Sequence, residues 1–169
     1  ILQFAREHDL RVIEDAAEAH ALYYHGRPCG SFGDLSVFSF YPNKLVTTGE
    51  GGLILSDDET LANTCRSLCN LSFIPEQRFL HHRMGWNFRM SNLQAAVGVA
   101  QLEQLDRNAR RKREIGQQYE ALLCDLPCLQ RPAPRTDGAE NGYWVFGVVL
   151  DDAIDFDARH LATLLADRG

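Results

Sequence analysis

Two short apolar runs, SVFSF (36–40) and GGLILS (51–56), constrain this chain more than any other feature. Each is too short for a helix and is bounded by turn-forming residues, the pattern of a buried strand. Between them lie Pro42, Asn43, Lys44 and the turn TTGEGG (47–52), so neither one long strand nor one long helix can cover the segment. A strand, a lysine-bearing loop and a second strand is what remains. Upstream, LRVIEDA (10–16) reads as another buried strand, ending in acids. Residues 1 to 9 place Ile1, Leu2, Phe4 and Ala5 among polar neighbours, as a short amphipathic helix would. Helix followed by strand, repeated around apolar runs, predicts an α/β fold.

Downstream, Ser56 with Glu59 has the form of a capping box, which predicts a helix over 57–70. Ser91 with Gln94 repeats the signal ahead of LQAAVGVAQLEQL. Ile115, Tyr119, Leu122 and Leu123 continue an apolar stripe, so helix, with a break, is expected to about 124. After Pro127 the composition changes to the loop QRPAPRTDGAENG and then to the apolar strand candidate YWVFGVVL. That change sets an expected domain boundary, with 1–124 on one side and 125–169 on the other. Asp157 can cap a last helix running through Leu165.

The 169 residues, 45% apolar and 24% charged, suffice for one substantial core. A formal net charge of −6 argues against a dedicated nucleic-acid binder, and the basic run RNARRKRE (107–114) reads as the wet face of a helix. No apolar run reaches membrane-spanning length and no signal-peptide pattern opens the chain, so no membrane partner and a cytoplasmic location are expected. The chain begins at Ile1 rather than Met and closes on Gly169 just after a helical pattern, as though both ends were cut from something longer. Five cysteines, an odd number, do not suggest a disulfide framework. Cys65 and Cys69, like Cys124 and Cys128, are spaced to share a helix face. Leu61, Ala62 and Leu68 absorb the first pair into an apolar stripe, and no complete zinc-like ligand set is visible, so no metal is expected.

Lys44 is the residue with chemical potential. An amine at a strand-to-loop junction is costly to bury as a charge, and desolvation moves it toward nucleophilicity. Asp15 ends the strand RVIED, and in a sheet with parallel neighbours its carboxylate would emerge at the carboxyl edge, where ligands of open α/β sheets bind. Ser39 stands five residues before the lysine. A pyridine-ring cofactor between these groups would have its ring nitrogen held by Asp15 and a phosphate oxygen by Ser39. Taken singly, each has an ordinary explanation: a surface lysine, a capping acid, a strand serine. His20, a lone histidine near a core strand, reads as packed and hydrogen-bonded rather than catalytic.

The segments VIEDAAEAH, GSFGDLSVFSFYPNKLVTTGEGG and GWNFRMSNLQAAVGVAQLEQLD, in this order and spacing, resemble the DegT/DnrJ/EryC1/StrS sugar-nucleotide aminotransferases. The resemblance covers nearly the whole chain and is strongest from Val12 to Asp106. It implies a pyridoxal 5'-phosphate-dependent transferase of fold type I, here part of the large cofactor-binding domain with its mixed sheet and linking helix, followed by the start of the small C-terminal domain. It implies that Lys44 carries the cofactor as a Schiff base, that Asp15 pairs with the pyridinium and that Ser39 contacts the phosphate. Glu18 matches a position near the cofactor's ring hydroxyl. Asn87 matches an asparagine that reaches the phosphate of the neighbouring subunit's cofactor, which implies a homodimer with shared active sites.

By the same resemblance, glutamate donates the amine and a keto-sugar nucleotide accepts it. EDAAEAH with GWNFRM is most similar to the perosamine-synthase-like members, which aminate the 4-keto carbon of a GDP-linked 6-deoxyhexose. Relatives that dehydrate the sugar carry histidine in place of the lysine, so Lys44 favours amino transfer. Two other readings stand beside this one: an inactive remnant serving as an oligomerisation module, and a fold-type-I lyase acting on amino acids. Full-length members are more than twice as long, so these residues expressed alone are expected to bind the cofactor poorly and to be inactive.

Overall fold

A computed structural model describes residues 1–77 and 79–169. The first helix, α1 (Leu2–Glu7), leads into β1 (Ile13–Asp15). β1 pairs parallel with β4 (Leu35–Ser39), and β5 (Gly52–Leu55) pairs antiparallel on the other side of β4. The register is Asp15 opposite Val37 and Ser39 opposite Gly52. The resulting three-stranded sheet, ordered β1-β4-β5, is mixed, as expected.

Side chains fix that register. Asp34, just before β4, accepts the Val12 backbone N–H at 2.8 Å on Oδ2 and the Arg11 guanidinium at 2.9 Å on Oδ1. These two bonds, the backbone bond first, hold its carboxyl below the usual carboxylate range. Glu14 accepts the N–H of Gly30 and, at 2.9 Å, that of Phe32, pinning the turn that brings the chain back to β4. Gly33 is required in that turn, because a Cβ there would stand 2.7 Å from the carbonyl oxygens of Val12 and Leu35.

The segment between β4 and β5 folds back on the sheet. Thr48 N–H and the Thr47 hydroxyl both donate to Phe40 O, and Phe40 N–H donates to Gly51 O. Gly49 and Gly51 take φ of 80° and 138°, which side-chain-bearing residues avoid. Val46 (0% exposed), Ala16, Ser36, Phe40 and Thr48 are all buried, along the end of β1, β4 and the lysine loop itself.

Helix α2 (Glu59–Cys69) appears close to its predicted span, but its cap is Asp58, whose Oδ1 accepts from the amides of Thr60 and Leu61. Ser56 is not the cap: its hydroxyl donates to Asp34 O at 2.7 Å and accepts from Asp58 N–H, so it joins the sheet to the helix entry instead. The Ser91–Gln94 capping box forms as predicted, opening α3 (Asn92–Leu102). After a break at Glu103 and Gln104 the chain continues as α4 (Leu105–Leu122).

A second sheet was not foreseen. β2 (Tyr23–Tyr24) and β3 (Arg27–Pro28) form a hairpin whose loop residues, His25 and Gly26, both have positive φ (48° and 76°), the conformation that matches strand twist. β7 (Arg135–Thr136) and β8 (Ala139–Glu140) form another around Asp137 and Gly138, inside the stretch read as loop. Tyr24 pairs with Ala139, so the four strands join in the order β3-β2-β8-β7.

The run YWVFGVVL is strand only at β9 (Val149–Leu150), which pairs with β6 (Leu129–Gln130). Its first half departs from the expected strand because Tyr143 adopts φ 50° and turns the aromatics onto α4. Phe146 lies 5.8 Å from Tyr143 and 5.2 Å from Tyr119, ring centroid to centroid. The last helix, α5 (Ala158–Ala166), is capped by Asp157 as predicted. Among the described residues no helix is long and apolar enough to cross a membrane.

Candidate active site

β1 and β4 run parallel, so Asp15 and Ser39 end at the same edge of the sheet. The loop after β4 then carries Lys44 over that edge. Asp15 and Lys44 line one cavity of about 520 Å³, together with Glu18, Lys112, Asn141 and Trp144. Three of the residues singled out from the sequence, Asp15, Glu18 and Lys44, are thus brought together.

The Asp15 Oδ1 accepts the Ala17 N–H at 3.0 Å, which orients the carboxylate. Its other oxygen has no donor among the described residues and is free to accept a bond. The Lys44 side chain is only 9% exposed, and its Nζ donates to Glu18 Oε1 at 3.1 Å. The same Nζ lies 3.9 Å from the centroid of the Trp144 ring. The Glu18 side chain is 53% exposed, so the ion pair is worth no more than about 1 kcal/mol. The cation–π contact adds about 1–2 kcal/mol in a partly desolvated setting. Trp144 is anchored in turn, its Nε1–H donating to Asn43 O at 3.0 Å.

His20 is buried and lines the same cavity, 5.3 Å from Phe38 and 6.0 Å from Phe40 between ring centroids. Burial pushes its pKa down, and the Lys44 charge acts in the same direction. Its Nε2 has no partner among the described residues, so it is packed as expected but not fully hydrogen-bonded.

Ser39 and Asn87 do not line this cavity. The Ser39 hydroxyl, half-buried, accepts the Tyr41 N–H at 3.2 Å. Asn87 is exposed and forms an isolated antiparallel bridge with Asn70. The basic run is only partly a wet face. Arg107, Arg110 and Arg111 are exposed, but Lys112 turns into the cavity and Arg113 donates to Ala21 O at 3.0 Å. One turn of α4 rotates those two side chains away from solvent, toward the segment that follows β1.

Sequence reasoning missed Trp144, Asn141 and Lys112 as cavity residues. The sequence gives no signal for them, because 143–150 reads as strand and 107–114 as the wet face of a helix. Chemically, the site offers an amine, an uncommitted carboxylate oxygen lining the same cavity and an indole wall. That donor set suits a flat, cationic-ring cofactor bearing an aldehyde.

The comparisons agree with that chemistry. The model of the DegT/DnrJ/EryC1/StrS aminotransferase family matches residues 1–169. A GDP-perosamine synthase of Vibrio cholerae is 38% identical over 159 residues, 94% of this chain and 43% of that protein. A GDP-perosamine synthase of Caulobacter vibrioides is 42% identical over 156 residues, 91% of this chain and 42% of that one. The crystal structure of the aminotransferase TlmJ from Streptoalloteichus hindustanus superposes with a TM-score of 0.88 at 32% identity, over 100% of this chain and 45% of that one. The chain therefore spans less than half the length of these relatives.

Proposed function

This chain belongs to the DegT/DnrJ/EryC1/StrS aminotransferase family, and from that premise we propose that the intact protein is a pyridoxal phosphate-dependent aminotransferase of keto-sugar nucleotides. The observation that carries the reading is the shared cavity of Lys44 and Asp15. Glutamate is the amino donor, and the similarity to GDP-perosamine synthases favours a GDP-linked 4-keto-6-deoxyhexose as acceptor. The setting is cytoplasmic.

When bound, the cofactor supplies an electron sink for the charge left as the donor's α proton departs. Lys44 supplies the amine that holds the cofactor and, once released, carries that proton on Nζ. Asp15 would hold a proton on the ring nitrogen through its free carboxylate oxygen. Glu18 steadies the lysine and, by the family resemblance, would lie near the ring hydroxyl. By the same resemblance Ser39 would contribute a hydroxyl to the phosphate, and Asn87 would reach the cofactor phosphate of a second subunit in a homodimer. Residues 1–124 belong to the large cofactor-binding domain, and 125–169 open the small domain.

The test is to purify the intact protein, follow the visible absorbance of the bound cofactor, and supply glutamate with 4-keto and 3-keto sugar nucleotides. Amino-sugar nucleotide production from one of them supports the reading. Cofactor binding with cleavage of amino acids instead, and no transfer to any sugar, would replace it with a lyase.

A further inference from the structure

Trp144 has no part in the chemistry above, yet it touches the amine on which that chemistry depends. Its ring covers the Lys44 Nζ at 3.9 Å while Glu18 accepts from the same nitrogen at 3.1 Å. Its indole N–H is bonded to Asn43 O, the carbonyl immediately before the lysine. The ring is therefore indexed to the lysine loop itself rather than packed against it at random.

The strap that delivers Trp144 is built with some strain. Tyr143, 4% exposed, holds φ at 50°, a conformation costly for a residue with a Cβ. It is kept there by the Asn141 Oδ1, which accepts its N–H at 2.7 Å, and by its seat against Gly116 of α4. Strain of this kind persists only where the surroundings over-determine it.

We propose that Trp144 is a positioning residue: with Glu18 it forms a parking site that holds the Lys44 amine inside the cavity whenever that amine is not committed to the cofactor. The proposal rests on the reading of Lys44 as the cofactor-bearing lysine. A free lysine has four rotatable bonds and strong hydration, both of which draw its nitrogen out of a cavity. A carboxylate and an indole face together keep the nitrogen near the position where it reacts, so it need not be recaptured from solvent at each cycle. Because Trp144 arrives from a segment a hundred residues downstream, the amine is parked only while that segment is docked on α4.

The experiment uses the intact, cofactor-free protein, pulse-acylated with acetic anhydride and read residue by residue by mass spectrometry. Lys112, which lines the same cavity and has no ion-pair or hydrogen-bond partner among the described residues, serves as the internal reference. Trp144→Leu is expected to raise the Lys44 to Lys112 labelling ratio about fivefold to thirtyfold, the range a cation–π contact supports. Glu18→Gln is expected to raise it as well. Trp144→Phe keeps an aromatic face but gives up the indole N–H bond to Asn43 O, so its ratio should lie between those of the parent and Trp144→Leu. An unchanged ratio in Trp144→Leu would overturn the proposal, as would Trp144→Phe labelling as fast as Trp144→Leu. Should Trp144→Leu loosen the whole fold, both lysines will label faster together, and Trp144→Phe and Glu18→Gln then decide. Labelling needs no cofactor, so a protein that takes up no pyridoxal phosphate would sink the functional reading without touching this result.

Discussion

Gly116 of α4 lies so close beneath Tyr143 that a Cβ on the glycine would stand 2.4 Å from the ring's Cγ and Cδ2. The contact is with the root of a buried ring rather than with the end of a flexible chain, so it cannot be relieved by a rotamer change. It joins the long helix to the segment that carries Trp144, and through it to Lys44.

Gly116→Ala should therefore destabilise the intact protein by about 1–3 kcal/mol, the usual range for overpacking. Urea titration would measure the loss. The same variant should increase Lys44 labelling, since displacing Tyr143 moves the indole. Unchanged stability would mean that the strap repacks freely and that the seat is not a constraint.

Lys44→Ala should remove the visible absorbance of covalently held cofactor while the far-ultraviolet circular dichroism stays that of the parent. Its side chain is attached to a loop rather than to the core, where Val46 and Phe40 do the packing. Persistence of that absorbance would show that another amine holds the cofactor.

Asp15→Asn keeps the shape of the side chain and loses the charge facing the ring nitrogen. Turnover should fall on the order of 10²–10³-fold, the scale for removing one preorganised electrostatic partner. Cofactor should still bind, because Lys44 is untouched. A steady-state assay beside an absorbance titration separates the two effects, and full turnover in the variant would remove Asp15 from the mechanism.

His20 makes stability depend on pH. Its pKa in the folded protein lies below the ordinary value of 6.5, first through burial and then through Lys44. Between that lowered value and 6.5 the unfolded chain binds more protons than the folded one, so stability falls as the pH drops below 6.5. The urea midpoint should decline between pH 7 and pH 5, and His20→Gln should flatten the decline. A slope identical in both proteins would assign the effect to other groups.

Ser91→Ala should cost about 1 kcal/mol, the usual loss for an N-cap hydroxyl. Gln94, the other half of the box, also donates to Glu50 O at 3.0 Å, so loss of the cap should loosen the turn after Lys44 as well as α3. Hydrogen exchange at residues 49–52, compared with exchange in the helix, would show whether the two are coupled.

Local chemistry written in the sequence determined the strands around Lys44, the glycine turn, the caps at Ser91 and Asp157 and the break in the long helix. Each depends on residues a few positions apart, where hydrogen-bonding partners and backbone preferences are already present in the chain. The Asp15 and Lys44 pair was legible for a related reason: two strands that end at one sheet edge deliver their following residues to one place. Tertiary structure decided the rest. Ser56 reads as the cap of α2, but Asp34 O engages its hydroxyl and Asp58 caps the helix instead. YWVFGVVL has the composition of a strand, but α4 offered its aromatics a packing surface, and an apolar run carries no periodicity that separates those outcomes. The joining of β2 to β8 and the placement of Trp144 over Lys44 bring together residues about a hundred positions apart. Such contacts follow from how whole elements pack after the chain has closed long loops, and no local pattern encodes them.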